Sequence, residues 1–554
     1  MINHLHVENY KSFEHAEFEF PKLTFFVGAN SCGKSSITNL LLLLSQSLDS
    51  SFNFDTILRL NGKHIGFGDD INIVKDHDAN NKVSISWAIE NDTAEYNEWT
   101  TDDILDDFYH NFLYNHSIIR RMYGRGDESE FTNKSHSLHS EAETTYYSHL
   151  EDKYSSNLIN IFKKQQTLVK KIKEEKDRDK VKLNLKPLLQ QHSTARLNEL
   201  LDLISNRSYS EMKPNKIKLV LRFNSNTGEV ELDQHTIVNK DDVIVLGFTF
   251  NQTGRIDIHS DIIDEKVLSR SRLDIVKKLN KNSILLSKGP ANLSDIRAYK
   301  NPFAAYCLYY LSGASKVLCN QLIEDKIYHV SPLRALPQRY YLLEKSAHHK
   351  TINSYNGTEV TEVLKNNPEI LKSVNEFFSE FNISILPVKV RDVIHKITIK
   401  QDGISVDLTD VGFGISQVLP ILVQLFLCED GSTIIIEQPE IHLHPNMQAI
   451  LTTLLARISV KYKKKLIIET HSEAMIRRLQ RLYLDPSFNL GNDDVRVYQF
   501  TRLDNGISQA NCDTLGPLGD IKWMKGFKDI EIEDTLEIQR LRSMKLSRGH
   551  EDAE

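Results

Sequence analysis

The residues from Gly28 to Ser35 form the strongest candidate for a chemical site in this sequence. They read Gly-Ala-Asn-Ser-Cys-Gly-Lys-Ser and fit the phosphate-binding pattern G-x-x-x-x-G-K-[ST]. Glycines let the backbone wrap closely around an anion, so that successive N–H groups and a helix N-terminus face a phosphate. Lys34 would bring a positive charge to the β- and γ-phosphates, and the Ser35 hydroxyl would bind Mg²⁺. The predicted nucleotide contacts in this segment are Asn30, Ser31, Cys32, Gly33, Lys34, Ser35 and Ser36.

The elements on both sides of this loop favour the phosphate interpretation over an ordinary glycine-containing turn. Leu23 to Val27 is a short β-favouring run, and Ser35 to Leu48 is an apolar stretch that predicts a helix. Cys32 lies inside the loop, where a helix N-terminus can lower a thiol pKa and create a redox switch. We favour the simpler interpretation, that Cys32 is a small residue filling a tolerant position.

A second set of candidate residues follows the β-branched run Thr433 to Ile436, which ends in Glu437. An acid at the carboxyl end of a buried strand can reach the metal beside a phosphate loop, so we predict Glu437 as a Mg²⁺ ligand. His442 and His444 alternate along the chain and could reach one zinc ion together with Glu440. We disfavour zinc there, because no further histidine or cysteine is adjacent and Mg²⁺ prefers oxygen.

A third apolar run, Leu466 to Ile468, leads through Glu469 into Thr470-His471-Ser472. His471 could hydrogen-bond the γ-phosphate and sense its loss. The alternative is a surface histidine next to residues that start a helix well. We favour the sensor, since it follows two other nucleotide-site signals.

Composition limits the class of protein. The chain has 554 residues, a formal charge of −7, 40% hydrophobic and 26% charged residues, which excludes a wholly basic nucleic-acid coat. No apolar run reaches the roughly 18 residues of a membrane span, and no secretory pattern opens the sequence. The five cysteines lack paired spacing, which disfavours a zinc ribbon or disulfide framework and suits a reducing compartment. We expect a cytoplasmic protein without a membrane partner.

The pattern of elements predicts three zones. Residues 1–95 are strand-rich around the phosphate loop, and residues 326–554 return to α/β alternation with buried parallel strands. Between them, residues 96–325 contain an amphipathic helical stretch from Leu158 to Ile172, then β-rich runs from Lys216 to Ile263 broken by hairpin turns. The mixed charges of Lys170 to Lys182 favour a solvated helix face over a nucleic-acid contact.

Several segments resemble known ATPases. Ile2 to Phe13 is similar to the start of SMC-type and ABC-type heads, and Asp410 to Gln417 resembles their signature loop. Tyr328 to Arg339 and Gly519 to Phe527 resemble a narrower branch. This branch consists of the PtuA-type ATPase subunits of Septu anti-phage modules, including versions attached to retrons. Its members are OLD-like AAA proteins without a Toprim domain. With about 80 residues after His471, we expect no Toprim nuclease here.

The resemblance implies an α/β fold: an ABC/SMC-type P-loop head with a mixed sheet, interrupted by a helical and β-hairpin insertion. It implies ATP and Mg²⁺ as cofactors, His471 as the switch histidine, and a signature loop that closes the ATP bound to another head. The implied signature contacts are Gly412, Gly414 and Ser416. The implied partners are a second copy, an HNH-type nuclease and, in retron versions, a reverse transcriptase with its RNA/DNA product.

Two positions depart from that family pattern. Gly412 occupies the usual signature serine position, and Gln438 follows Glu437 where the family has a glutamate that acts as general base. Glutamine cannot accept a proton, so either Glu440 takes over or hydrolysis is slow, as suits a switch. The candidate catalytic residues are Glu437, Gln438, Glu440 and His471. Gln46 is a weak candidate for the family's flexible glutamine.

Two other functions remain open at this point: an SMC-like DNA repair or clamp ATPase, and a nuclease that uses Glu437, Glu440 and the histidines. The first is disfavoured by the short central zone, and the second by the phosphate loop. Arg334 and Arg339 could reach phosphates or form salt bridges. For Trp523 and Phe527 we favour a core anchor over a partner-docking patch.

Overall fold

The structure is a computed structural model, and it describes residues 2–48, 56–89, 209–286, 301–323, 325–343, 352, 357–523 and 534–542, with 196, 199, 200, 202 and 203. The contacts divide the chain into two units. The first unit comprises Met1–Ser51, Arg59–Val83 and Gln321–Glu554, and the second comprises Phe52–Leu58 and Ser84–Asn320. The three zones drawn from the sequence remain a prediction.

The described strands follow one another from the N-terminus to the C-terminal part of the chain. They are β1 (Ile2–Tyr10), β2 (Phe13–Glu19), β3 (Leu23–Gly28), β4 (Val83–Ile89), β5 (Lys216–Asn224), β6 (Glu229–Val238), β7 (Ile244–Phe250), β8 (Ile256–His259), β9 (Ile327–Val330), β10 (Tyr341–Leu342), β11 (Ile383–Lys389), β12 (Ile394–Gln401), β13 (Ile404–Asp407), β14 (Thr433–Glu437), β15 (Lys465–Glu469), β16 (Val495–Arg502) and β17 (Ser508–Asp513).

The described helices lie between strands, singly or in pairs, except the last, which follows β17. They are α1 (Lys34–Ser47), α2 (Tyr209–Met212), α3 (Glu265–Val276), α4 (Pro302–Cys319), α5 (Gly357–Asn366), α6 (Pro368–Ser379), α7 (Phe413–Leu427), α8 (Pro445–Lys461), α9 (Glu473–Leu484) and a helix over 534–542. Within the described ranges, no helix is both long and apolar enough to cross a bilayer.

The main sheet of the first unit has six strands in the order β17-β16-β3-β15-β14-β9. β9, β14, β15, β3 and β16 run parallel, and β17 adds an antiparallel edge, so the sheet is mixed. Every residue of β3, β14 and β15 is buried, as expected of short apolar runs covered on both faces. Since burying one such side chain contributes about 1.5–3 kcal/mol, these strands fix the sheet centre strongly.

The β1–β2 hairpin belongs to the same unit and pairs in antiparallel register. Leu5, Val7 and Phe18 are buried on one face, with Phe18 against the rings of Phe26 and Phe500. A smaller sheet in the order β10-β12-β11, with β13 paired to β12, packs with α5 and α6. Helix α7 follows it and carries the Gly412–Ser416 segment at its start.

The second unit contains the antiparallel hairpins predicted between Lys216 and Ile263. β5, β6, β7 and β8 pair in sequence order, and turns containing Gly228 and Gly254 join β5 to β6 and β7 to β8. The Trp87 indole N–H in β4 donates to the carbonyl of Leu318 at 2.9 Å. The predicted helical stretch from Leu158 to Ile172 and the charged run from Lys170 to Lys182 lie outside the described residues.

Candidate active site

The phosphate loop joins the end of β3 at Gly28 to the start of α1 at Lys34. Gly33 precedes the helix with φ +103°, and Gly28 has φ +145°, backbone conformations that favour glycine. A Cβ at Gly33 would lie 2.7 Å from the Phe13 ring, and one at Gly28 would overlap the carbonyl oxygen of Phe500. No side chain caps the N-terminus of α1, so its first N–H groups are available to an anion.

The Lys34 ammonium lies inside this loop and is only 4% exposed. Its Nζ donates to the carbonyl of Gly28 at 3.1 Å and to that of Ala29 at 2.8 Å. It also lies 3.9 Å from Oε1 of Glu469. The ammonium therefore lies against the backbone of the phosphate loop, where a bound phosphate oxygen would compete with these two carbonyls for its hydrogen bonds.

Two carboxylates lie side by side at the carboxyl edge of the parallel strands, and one of them contacts Ser35. Glu437 ends β14, Glu469 ends β15, and the two residues are direct partners in the strand register. Ser35 Oγ lies within hydrogen-bond distance of both Glu469 oxygens, at 3.0 and 3.2 Å. Glu437 Oε1 accepts from Thr38 Oγ1 at 3.5 Å and lies 3.0 Å from Nε2 of His329.

Negative charges on both Glu437 and Glu469 would be unfavourable, because the two carboxylates are buried and repel each other. Burial, then the charge of Glu437, raises the pKa of Glu469 to about 7, against the opposing effects of Lys34 and Ser35. Both glutamate residues are buried. Mg²⁺ takes oxygen ligands, and a divalent cation would offset both the burial and the mutual repulsion. The donor set of Ser35, Glu437 and Glu469 therefore fits Mg²⁺, with Ser35 and Glu437 as the ligands expected from the sequence.

Sequence reasoning missed Glu469 and His329 as members of this site. A signal for Glu469 was present, because an acid directly follows the run Leu466 to Ile468, just as Glu437 follows the run Thr433 to Ile436. Two such runs in neighbouring parallel strands place their acids side by side. His329 carries no comparable signal, since its contact with Glu437 depends on the pairing of β9 with β14.

Hydrogen bonds to β15 and from Arg334 fix the turn after β14. Gln438 has φ +44°, and its N–H donates to the carbonyl of Glu469 at 2.7 Å. Nη2 of Arg334 donates to the carbonyls of Glu437 and Gln438, at 2.9 and 3.2 Å. Arg334 is 7% exposed, and burial lowers its pKa to about 10 against the attraction of Glu440 and Glu437. Its Nε and Nη1 have no hydrogen-bond partner among the described residues, so buried donors remain beside the carboxylates.

Glu440 and His471 adjoin the same edge. Oε1 of Glu440 accepts the backbone N–H of His471 at 2.7 Å, while Oε2 is buried and has no hydrogen-bond partner among the described residues. Burial, then the charge of Lys34, lowers the pKa of His471. Ser472 caps α9 by accepting from Met475 N–H at 3.1 Å and donates to Gln448 at 2.5 Å, which fixes the preceding histidine.

The Gly412–Ser416 segment forms the start of α7. Gly412 is the N-cap residue without a side-chain cap, and a Cβ there would meet open space. A Cβ at Gly414 would lie 3.0 Å from the carbonyl of His442, so this helix start passes close to the turn after β14. Ser416 is buried. The start of α7 thus offers backbone N–H groups and an open glycine surface.

The remaining sequence candidates lie in other settings. Gln46, at the end of α1, is buried and hydrogen-bonds Arg59 and the N–H groups of His64 and Ile65. Arg339 forms an exposed ion pair with Asp410 at 3.1 Å. His444 caps α8 through Asn446 N–H at 3.3 Å rather than joining Glu440 in a ligand group.

Cys32 and Trp523 have interior surroundings, while Phe527 lies outside the described residues. Burial raises the pKa of the Cys32 thiol, and its Sγ donates to the carbonyl of Ala29 at 2.8 Å, which favours a filler over a reactive thiolate. Trp523 packs against the core of the first unit.

Comparison with known proteins places this site in a family. The model of the AAA ATPase domain family matches residues 1–476. No curated protein sequence matches the chain. Among solved structures, the SMC head domain from Thermotoga maritima aligns with 92% of this chain and 98% of its own, at 8% identity and a TM-score of 0.32.

Two further SMC heads align at 10% identity. One, bound to the C-winged helix domain of ScpA, covers 93% of this chain and 98% of its own with a TM-score of 0.35. The other, a head from Pyrococcus furiosus with an extended coiled coil, bound to the C-terminal domain of ScpA, covers 97% and 99% with a TM-score of 0.31. These TM-scores are low, and the assignment rests on the family model. The predicted α/β fold with a mixed sheet is confirmed. The chain belongs to the AAA ATPase domain family and is an ATPase of that type.

Proposed function

We propose that this chain is a slowly hydrolysing ATPase subunit that controls a partner nuclease of the HNH type in a bacterial anti-phage complex. The nucleotide part is supported by the hydrogen bond from Ser35 of the phosphate loop to Glu469, whose partner in the strand register is Glu437. The defence role and the nuclease rest on the resemblance of Tyr328 to Arg339 and Gly519 to Phe527 to Septu-type subunits.

In the proposed nucleotide site, the loop N–H groups and Lys34 bind the phosphates, and Ser35, Glu437 and Glu469 hold Mg²⁺. When bound, Mg²⁺ would offset charge on the phosphate oxygens. Nε and Nη1 of Arg334, which have no hydrogen-bond partner among the residues that the structure describes, are suited to donate to a phosphate oxygen, because a guanidinium is a fixed fork of donors.

We assign the general base to Glu440. Gln438 cannot accept a proton, and Glu469 is already engaged by Ser35 and lies near Lys34. Glu440 Oε2 is the carboxylate oxygen of this edge that is buried without a partner among the described residues, so it can accept a proton from water. His471, whose N–H is fixed by Glu440, would sense the γ-phosphate.

A second copy would complete the site. The uncapped start of α7 presents N–H groups and the open face of Gly412, which suits close approach to a nucleotide on another head. Without the usual signature serine, the backbone would make this contact. ATP would then hold two heads together until it is hydrolysed, which is the behaviour of a switch.

An SMC-like ATPase acting on DNA directly is the alternative. It predicts DNA-stimulated hydrolysis and DNA affinity that falls steeply with salt. The defence proposal predicts instead that the native complex contains an HNH-type nuclease, and in retron versions a reverse transcriptase with its RNA/DNA product. Purifying the native complex and measuring its mass with and without ATP separates the two. Recovery of this chain alone, with strong nuclease activity of its own, would refute the defence proposal.

A further inference from the structure

The outward face of the β1–β2 hairpin carries two histidines and two glutamates in a square. His6 pairs with Glu17 across the strands, and Glu8 pairs with His15. Within each strand the members are two residues apart, so all four side chains share one face of the pleated ribbon. Leu5, Val7 and Phe18 occupy the buried face.

The side-chain atoms of this group converge. His6 Nε2 lies 3.0 Å from Glu8 Oε1, and His6 Nδ1 lies 3.2 Å from Glu17 Oε1. His15 Nε2 lies 3.9 Å from that same Glu17 oxygen, and the two imidazole rings are 4.7 Å apart. Ligand atoms of His6, Glu8 and His15 all lie within 4.8 Å of one another.

The two carboxylates beside His6 favour a cation between the imidazole and one of them. Both of its ring nitrogens face carboxylate oxygens, but a neutral imidazole has a single N–H to donate. The other nitrogen then presents a lone pair to a carboxylate at hydrogen-bond distance, which is repulsive. A cation between His6 Nε2 and Glu8 removes that repulsion and leaves Nδ1–H to donate to Glu17.

We propose that His6 Nε2, a Glu8 oxygen and a His15 nitrogen bind a divalent transition-metal ion of the Zn²⁺ class, with Glu17 orienting His6. Zinc ligands at roughly 2.0–2.2 Å in a tetrahedron lie about 3.3–3.6 Å from one another, a few tenths of an ångström more than the 3.0 Å between His6 and Glu8. The Glu17–His6–metal arrangement is the carboxylate–histidine relay that fixes ring orientation in such sites. Three protein ligands leave the fourth position to water.

The ligand types favour zinc over magnesium. Imidazole suits Zn²⁺, Cu²⁺ or Ni²⁺, whereas Mg²⁺ prefers an all-oxygen octahedron such as Ser35 and the buried glutamates offer. The two sites are therefore chemically distinct, and each can be titrated in the presence of the other ion.

The hairpin that would carry the ion also supports the phosphate loop. Tyr10 at the end of β1 donates its hydroxyl to the carbonyl of Ser36 at 3.1 Å, and Phe13 at the start of β2 packs against Gly33. An ion joining β1 to β2 would cross-link the strands that hold these two rings. It should therefore raise thermal stability of the full chain by mass action.

Calorimetric titration of the untagged full chain with ZnCl₂, in excess MgCl₂ to fill the oxygen site, tests the proposal. We expect one Zn²⁺ per chain, a rise in melting temperature, and visible ligand-field bands of a low-coordinate site when Co²⁺ replaces Zn²⁺. His6→Gln and His15→Gln should abolish binding, whereas Glu17→Gln should weaken it about 10- to 100-fold.

The matched control is Glu14→Gln, an exposed acid on β2 that lies outside the square. It should leave Zn²⁺ affinity unchanged. Circular dichroism confirms that each variant is folded, and His15, which is 59% exposed, can be replaced without disturbing the core. Absence of Zn²⁺ binding to the folded wild-type chain would overturn the proposal. So would Zn²⁺ affinities of His6→Gln and His15→Gln equal to that of the wild type.

Discussion

Lys464 offers a sharp test of how helix α7 is anchored. Its ammonium is buried, with 3% of the side chain exposed, and donates to the carbonyls of Leu425 at 2.9 Å and Cys428 at 2.8 Å. These carbonyls belong to the last turn and C-cap of α7, where the helix leaves acceptors without intrahelical partners and a cation is favourable. Lys464 therefore caps the C-terminal end of α7, the helix whose N-cap residue is Gly412.

The change Lys464→Met keeps the aliphatic stem and removes both hydrogen bonds. Each hydrogen bond to a charged group contributes about 1.5–3 kcal/mol, and removing the buried charge recovers part of its desolvation cost. We therefore expect a loss of about 3 kcal/mol in the free energy of unfolding, measured by urea denaturation at neutral pH.

The matched control is Lys463→Met, the same chemical change at the exposed neighbouring position. Surface substitutions of this kind stay within about 0.5 kcal/mol. If Lys464→Met were no less stable than Lys463→Met, the assignment of Lys464 as the anchor of α7 would be refuted.

Three further predictions concern other groups. Burial lowers the pKa of His235 from 6.5 to about 4, with Nε2 facing the carbonyl of Ile284 at 3.0 Å. Since the unfolded state binds a proton below pH 6.5 and the folded state does not, stability should fall by about 2 kcal/mol between pH 7.5 and 5.0. Urea unfolding of His235→Gln should lack this part of the pH dependence, and an unchanged dependence would refute the assignment. Glu440→Gln should lower kcat for ATP hydrolysis about 100-fold or more with little change in nucleotide affinity, and an unaltered kcat would exclude it as the base. Glu469→Gln should raise the Mg²⁺ concentration needed for half-maximal hydrolysis, whereas the exposed Glu429→Gln should not; equal requirements would remove Glu469 from the metal site.

Local pattern was sufficient for the parts of the site that are contiguous in sequence. The glycines, Lys34 and Ser35 occur within eight residues, and the flanking run and apolar stretch became β3 and α1 within a residue or two. Likewise the run before Glu437 became β14, with the acid at its carboxyl end. Periodicity and turn composition report such short-range features directly.

Contacts between distant segments could not be obtained in this way. Glu469 meets Ser35 only because β15 lies between β3 and β14, and the strand order is a tertiary property. His329 reaches Glu437 for the same reason. The His6–His15 group required the hairpin register, since shifting it by one residue would send His15 to the other face.

The role of Arg334 illustrates a different limit. Its basic side chain suggested phosphate contact or salt bridging, but the structure shows Nη2 bonded to main-chain carbonyls of the turn after β14. Gln438 in this turn adopts positive φ, which no composition rule predicts for glutamine.

The nucleotide site can be tested by calorimetric titration of the folded chain with ATP in the presence of Mg²⁺. We expect the wild type to bind one ATP per chain and Lys34→Ala to lose most of this affinity, with Lys463→Met behaving as the wild type. Absence of heat from the folded wild-type chain, or an affinity for ATP that Lys34→Ala leaves unchanged, would show that Lys34 and its loop do not bind the nucleotide.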